Sequence, residues 1–177
     1  MSTPFLGRWQ HHPPVRAECL AMTASELIRR GAVVPEMTSR TKAPALKELL
    51  TALTDAGRVP WEGLQEMAAA VMTRERLGTT GIGHGIAVPN ARHDLAPRTL
   101  VALGRSDHGI EFGALDGAPV HIVLMVLSNR RTPLDHVRTL ALIARLFRDE
   151  RLIRTTRAAK TPDEILHGIE AAERHLR

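Results

Sequence analysis

The stretch that most constrains the fold is Val120-His121-Ile122-Val123-Leu124-Met125-Val126-Leu127, an apolar run between Pro119 and Ser128-Asn129. Such a run, bounded by turn residues, reads as a strand buried on both faces rather than one with a wet side. A second apolar run, Thr99 to Gly104, reads the same way, and Gly109 to Gly117 reads as a short strand or turn between them. The flanking sequence supplies the covering layers. Thr41 to Ala56 places Leu46, Leu49, Leu50 and Leu53 on one helical stripe ending at Gly57, and Trp61 to Leu77 repeats the pattern with Leu64, Met67, Ala68 and Val71. Downstream, Pro133 to Phe147 is strongly amphipathic, and helical segments follow near 150–159 and 162–176. A short helix ending at Gly31 and an extended piece at 32–35 complete the pattern. The expectation is an α/β single-domain sandwich: a central mixed β-sheet flanked by helices on both faces.

Composition narrows function. Apolar residues make up 44% of the 177-residue chain but aromatics only 3%, so the core is aliphatic and there is no stacking platform for single-stranded nucleic acid. The formal charge of +5 is mild, and arginines such as Arg98, Arg105, Arg145 and Arg154 are scattered in the manner of solvated helix faces. The helix pair at 41–56 and 61–77 could be taken for a DNA-binding helix-turn-helix, but Glu62, Gln65 and Glu66 on the outward side of the second helix argue against it. No nucleic-acid partner is expected. Cys19 is the single cysteine, which fits a reducing compartment, and no stretch is long enough to insert in a membrane, so the protein reads as cytoplasmic. Residues 1–21, rich in Pro, His and Arg, read as a flexible N-terminal extension preceding a domain over 22–177. No His-x-x-His or carboxylate spacing supports a metal, and no cofactor is expected.

The chemistry concentrates in Gly81-Ile82-Gly83-His84-Gly85-Ile86-Ala87-Val88-Pro89-Asn90-Ala91-Arg92. Clustered glycines let backbone amides approach an anion or another chain, although a glycine-rich loop alone is a weak signal, and no Gly-Lys-Ser/Thr follows to make a nucleotide phosphate loop. The segment resembles the Gly-Ile-Gly-x-Gly-Ile-Ala-Ile-Pro-His-Ala-Arg stretch of the IIA domains of the sugar phosphotransferase system, of the fructose, mannitol and nitrogen-regulatory type. Arg74 to Thr80 is similar to that family's approach to the loop, Ile110 to Val120 to its central turn and next strand, and His136-Val137-Arg138-Thr139-Leu140 to the helix opened by its second histidine.

The resemblance implies roles. The family's histidine after proline accepts a phosphoryl group from a histidine-containing carrier protein, and here Asn90 occupies that position. A carboxamide nitrogen has its lone pair delocalised into the carbonyl, so it is a poor nucleophile, while it still donates and accepts hydrogen bonds. His136 matches the second histidine, and Arg92 matches a position able to hold a phosphate or a partner carboxylate. Gly81, Gly83, His84 and Gly85 form the expected phosphate- or partner-binding loop. The resemblance therefore implies a degenerate, nitrogen-regulatory-type module that binds the carrier protein or a regulatory target such as a kinase, transporter or regulator, and it leaves a homodimer open. Two phosphocarrier alternatives stand beside it: another histidine, His84 or His93, takes the phosphate, or Asn90 is an introduced change. DNA binding by the first helix pair is the weakest alternative.

Overall fold

The computed structural model describes residues 22–175; the extension expected at 1–21 lies outside them. Helix α1 (Ala24–Arg30) opens with a capping box in which Thr23 Oγ1 accepts from the Glu26 amide and Glu26 returns the bond to the Thr23 amide. Strand β1 (Ala32–Val34) leads to α2 (Lys42–Asp55); a single 3₁₀ turn (Trp61–Gly63) precedes α3 (Leu64–Arg76). Three short strands follow, β2 (Gly81–Gly83), β3 (Ile86–Ala87) and β4 (Asn90–Arg92), then the long pair β5 (Leu100–Ile110) and β6 (Val120–Ser128). Helices α4 (Pro133–Leu146), α5 (Glu150–Ala158) and α6 (Pro162–His175) close the described chain.

The sheet runs β1-β5-β6-β3-β2, with β4 also on β6. It is mixed: β1 and β5 are parallel, β5 and β6 antiparallel, and β3 and β4 both run parallel to β6. The run that reads as buried on both faces is β6. Its alternate residues Val123, Met125 and Leu127 pack with Leu46, Leu49, Leu50, Leu53, Met67 and Val71 of α2 and α3. Ile122, Leu124 and Val126 face the other way, into Leu27, Ile28, Ile143, Leu146, Leu152, Ile165 and Ile169. The period of two in the strand thus sorts one run into two cores. The apolar stripes of the helix pair α2 and α3 are turned into the sheet.

Two expectations change. The strand beginning near Thr99 continues to Ile110, through the polar residues Arg105 to His108, with its register against β6 shifting between Arg105 and Ile110. Arg105 is not on a solvated face: it is 1% exposed, its Nε donates to the Pro35 carbonyl at 2.7 Å, its Nη1 to the Arg157 carbonyl at 3.0 Å, and it pairs with Glu36 and Asp107. A buried guanidinium is tolerated when its donors are met. Here the partners come mostly from distant parts of the chain, which explains why local spacing does not reveal them. Among the described residues, no helix is long and apolar enough to cross a membrane.

Candidate functional site

The glycine-rich motif is laid along one side of β6. Ile86 and Ala87 pair with Ile122 and Val123, and Asn90, Ala91 and Arg92 with Val126, Leu127 and Ser128. Between the two paired pieces stands Pro89, which has no N–H to donate and contributes only its carbonyl, to the Val126 amide at 2.9 Å. The motif therefore runs along the strand: Gly85 lies beside the start of β6, its carbonyl accepting from the His121 and Ile122 amides, β2 folds back antiparallel onto β3, and Asn90 lies toward the end.

At that C-terminal end, register puts Asn90 and Arg92 on the β6 side that carries Val126 and Ser128, the side packed by α4. Asn90 is buried, and its Nδ2 donates to the Val88 carbonyl at 3.0 Å, which fixes the amide orientation and leaves Oδ1 as an acceptor. Pro133 starts α4 and places His136 in its first turn. The His136 ring is buried, with Nδ1 at 2.7 Å from Ser128 Oγ. Burial, with the nearby charges of Arg92 and Arg74, holds its pKa below the ordinary 6.5, so the imidazole is neutral at physiological pH. The Arg92 guanidinium has no hydrogen-bond or ion-pair partner among the described residues. This end of the sheet thus offers a fixed amide, a neutral imidazole braced by a serine and the Arg92 guanidinium, with further positive charge from Arg74, whose guanidinium donates to the Gly78 carbonyl at 3.0 Å. Such a set can hold an oxyanion or a carboxylate. The amide at Asn90 supplies no nucleophile.

The other expected residues divide. His93 follows Arg92, but its Nδ1 accepts from the Leu95 amide at 3.3 Å and its Nε2 lies 3.7 Å from the Glu66 carboxylate, so both ring nitrogens have neighbours. Gly83, His84 and Gly85 form the turn between β2 and β3 beside the start of β6, and Gly81 folds back to pair with Ala87. From Ile86, just after that turn, to Asn90 the chain advances four register steps along β6, which at about 3.3 Å per residue comes to roughly 13 Å. Two residues near the site carry no signal in the sequence: Ser128 reads only as the polar end of the apolar run, and Arg74 as one residue of the segment that approaches the loop. Both become visible only once β6 and α3 are packed. Among the described residues no group of three or more His, Cys, Asp or Glu side chains is arranged to hold a metal ion.

Residues 26–172 match the family described as Phosphoenolpyruvate-dependent sugar phosphotransferase system, EIIA 2. A nitrogen regulatory protein of Bradyrhizobium diazoefficiens is 30% identical over 144 residues, covering 81% of this chain and 92% of the relative. The nitrogen regulatory protein of Escherichia coli K12 is 35% identical over 112 residues, 62% of this chain and 68% of the relative. Among solved structures, nitrogen regulatory protein IIA-Ntr from Neisseria meningitidis superposes with a TM-score of 0.72 at 22% identity, over 82% of this chain and 97% of that one. The mannitol IIA domain of Escherichia coli gives 0.66 at 23% identity, over 78% and 95%. With a family match over most of its length and the same mixed sheet between helical layers, the chain belongs to the EIIA 2 family of the phosphotransferase system, alongside its nitrogen regulatory members.

Proposed function

We propose that this chain is a regulatory binding module of the nitrogen-regulatory IIA type in which Asn90 stands as a permanent imitation of an unphosphorylated histidine. The observation that carries the reading is the state of Asn90 itself: a buried carboxamide, locked by its bond to the Val88 carbonyl, at the position where the family resemblance puts the phosphate acceptor. Like a neutral imidazole it presents an uncharged acceptor atom, and unlike one it cannot take a phosphoryl group. A phosphoryl group would bring about one and a half to two negative charges, enough to reverse the electrostatics of a docking surface. Without it, the surface keeps one state. That surface has the makings of a protein contact, because Leu134 and Val137, three residues apart on α4 and flanking His136, are 67% and 62% exposed. Its partner is the histidine-containing carrier protein or a regulatory target.

The test is incubation of the full chain with phosphoenolpyruvate, enzyme I and the carrier protein, followed by intact mass measurement. The unaltered chain is expected to gain no acid-labile phosphate, and Asn90→His to gain one. Efficient labelling of the unaltered chain, mapped to His84, His93 or His136, overturns the binding-only reading in favour of a phosphocarrier.

A further inference from the structure

The glycine end of the motif builds something of its own. The turn between β2 and β3 has three successive residues in the left-handed region, Gly83 at φ 91°, His84 at φ 56° and Gly85 at φ 75°. Glycine adopts this backbone freely, whereas for histidine it costs roughly 1–2 kcal/mol. A bulky residue where glycine would be easier points to a use for its side chain. His84 lines a pocket of about 370 Å³ together with His121 at the start of β6 and Ile153, Arg154 and Arg157 of α5. This volume is at the small end of ligand sites and suits a metabolite rather than a peptide.

The walls are fixed. The His121 Nδ1–H donates to the Ser106 carbonyl at 2.9 Å, since a carbonyl can only accept. Asp116, which also lines the pocket, has its two oxygens taken by the His84 amide at 2.9 Å and the Ala118 amide at 3.1 Å. The cations are less committed. Arg154 lies 3.5 Å from Glu150, four residues upstream and itself lining the pocket, a weak contact on an exposed helix face. The Arg157 guanidinium has no hydrogen-bond or ion-pair partner among the described residues, although its backbone carbonyl holds Arg105. Arg154 and Arg157 are one helical turn apart and so share a face of α5. Two guanidinia and an imidazole line the pocket beside the apolar side chains of Ile153 and Pro119, a set that suits an anion with a carbon body.

We propose that this pocket is a second binding site, for a small organic anion whose phosphate or carboxylate is held by Arg157, Arg154 and His84 and whose carbon body rests on Ile153 and Pro119. It lies at the opposite end of β6 from Asn90 and does not depend on the phosphate chemistry there.

The test is a chemical-shift titration of the isotope-labelled full chain with inorganic phosphate, glycerol 3-phosphate and succinate in separate arms. Saturating shifts at Gly85, His121 and Ile153 are expected with at least one of the two organic anions, at lower concentration than with inorganic phosphate. The arm that saturates distinguishes a phosphate from a carboxylate head. Arg157→Ala should weaken binding about tenfold, as loss of a charge-assisted contact does. His84→Gly should weaken it severalfold without lowering the melting temperature, because the backbone bond to Asp116 remains and the strain is relieved. The proposal is overturned by the absence of saturation by about 10 mM in all arms, by shifts confined to the Arg74, Arg92 and His136 end, or by Arg157→Ala titrating like the unaltered chain.

Discussion

Replacing Glu75 by alanine removes the acceptor for three donors at once, on the last turn of α3 where the chain turns into β2. The carboxylate is buried and accepts from the Thr80 amide at 2.9 Å, the Thr80 hydroxyl at 2.6 Å and Lys42 Nζ at 3.0 Å. Thr80 is itself buried, so its stranded amide costs about 1–3 kcal/mol. Lys42 is 26% exposed in its side chain and can turn to water, so the lost ion pair adds only about 1 kcal/mol. The Thr80 hydroxyl can rotate and adds little. The expected loss for Glu75→Ala is about 3 kcal/mol, whereas Glu75→Gln, which keeps an acceptor for the amide, should lose about 1–2 kcal/mol. Urea unfolding followed by circular dichroism at neutral pH measures both. A loss below about 1 kcal/mol for alanine, or equal losses for the two variants, would refute the accounting. A pH series adds a sign test. Burial alone would raise the Glu75 pKa, but the Thr80 hydroxyl and amide and the Lys42 ammonium outweigh it and hold it below the ordinary 4.5. A depressed carboxylate contributes stability that is complete above 4.5 and is lost as pH falls from there through the folded value. The gap between the unaltered chain and Glu75→Gln should therefore close in acid.

Other outcomes follow from single contacts. His136 should titrate below 6.5 by NMR, and Arg92→Ala should move it back upward; because its folded pKa is depressed, its protonation lowers stability as pH falls from 6.5 toward the folded value. Thr156 is 1% exposed with an Oγ1 that has no partner among the described residues, so Thr156→Val should stabilise the fold by about 1 kcal/mol and raise the calorimetric Tm by about 2–4 °C. A methyl added at Gly31 would overlap the Val101 carbonyl of the backbone, whereas one at Gly104 would meet the side chains of Met37 and Leu49. Gly31→Ala should therefore yield little folded protein, while Gly104→Ala should fold with a loss of about 1–3 kcal/mol, as expression and urea titration can compare.

What the sequence made legible was what depends on period and local chemistry. The both-face burial of Val120 to Leu127, the stripes of α2 and α3 and the start of α4 at Pro133 are one-dimensional patterns, and the helices and strand stand where those patterns put them. Arg105 and Glu75 were illegible for the opposite reason. Each is acceptable in the interior because of partners drawn from elsewhere, Glu36 for the first and Lys42 for the second, and a charge whose partner is dozens of residues away looks like any surface charge.

The glycine motif shows the same limit in a form that bears on function. Read as a string, Gly81 to Arg92 is compact, and its histidine and asparagine look like members of one site. An extended segment converts closeness along the chain into distance, at about 3.3 Å per residue. Because Ile86 to Arg92 is drawn out beside β6, with Pro89 between the two paired pieces, the end carrying His84 meets α5 and the end carrying Asn90 meets the α4 face. His136, far from Asn90 in the sequence, sits on Ser128, two register steps beyond Asn90's own partner Val126. A histidine at position 84 therefore lies outside the Ser128, His136 and Arg92 surroundings of position 90. Asn90→His and His84→Gly accordingly act on separate chemistry, and their effects on phosphate labelling and on anion binding should be independent of each other.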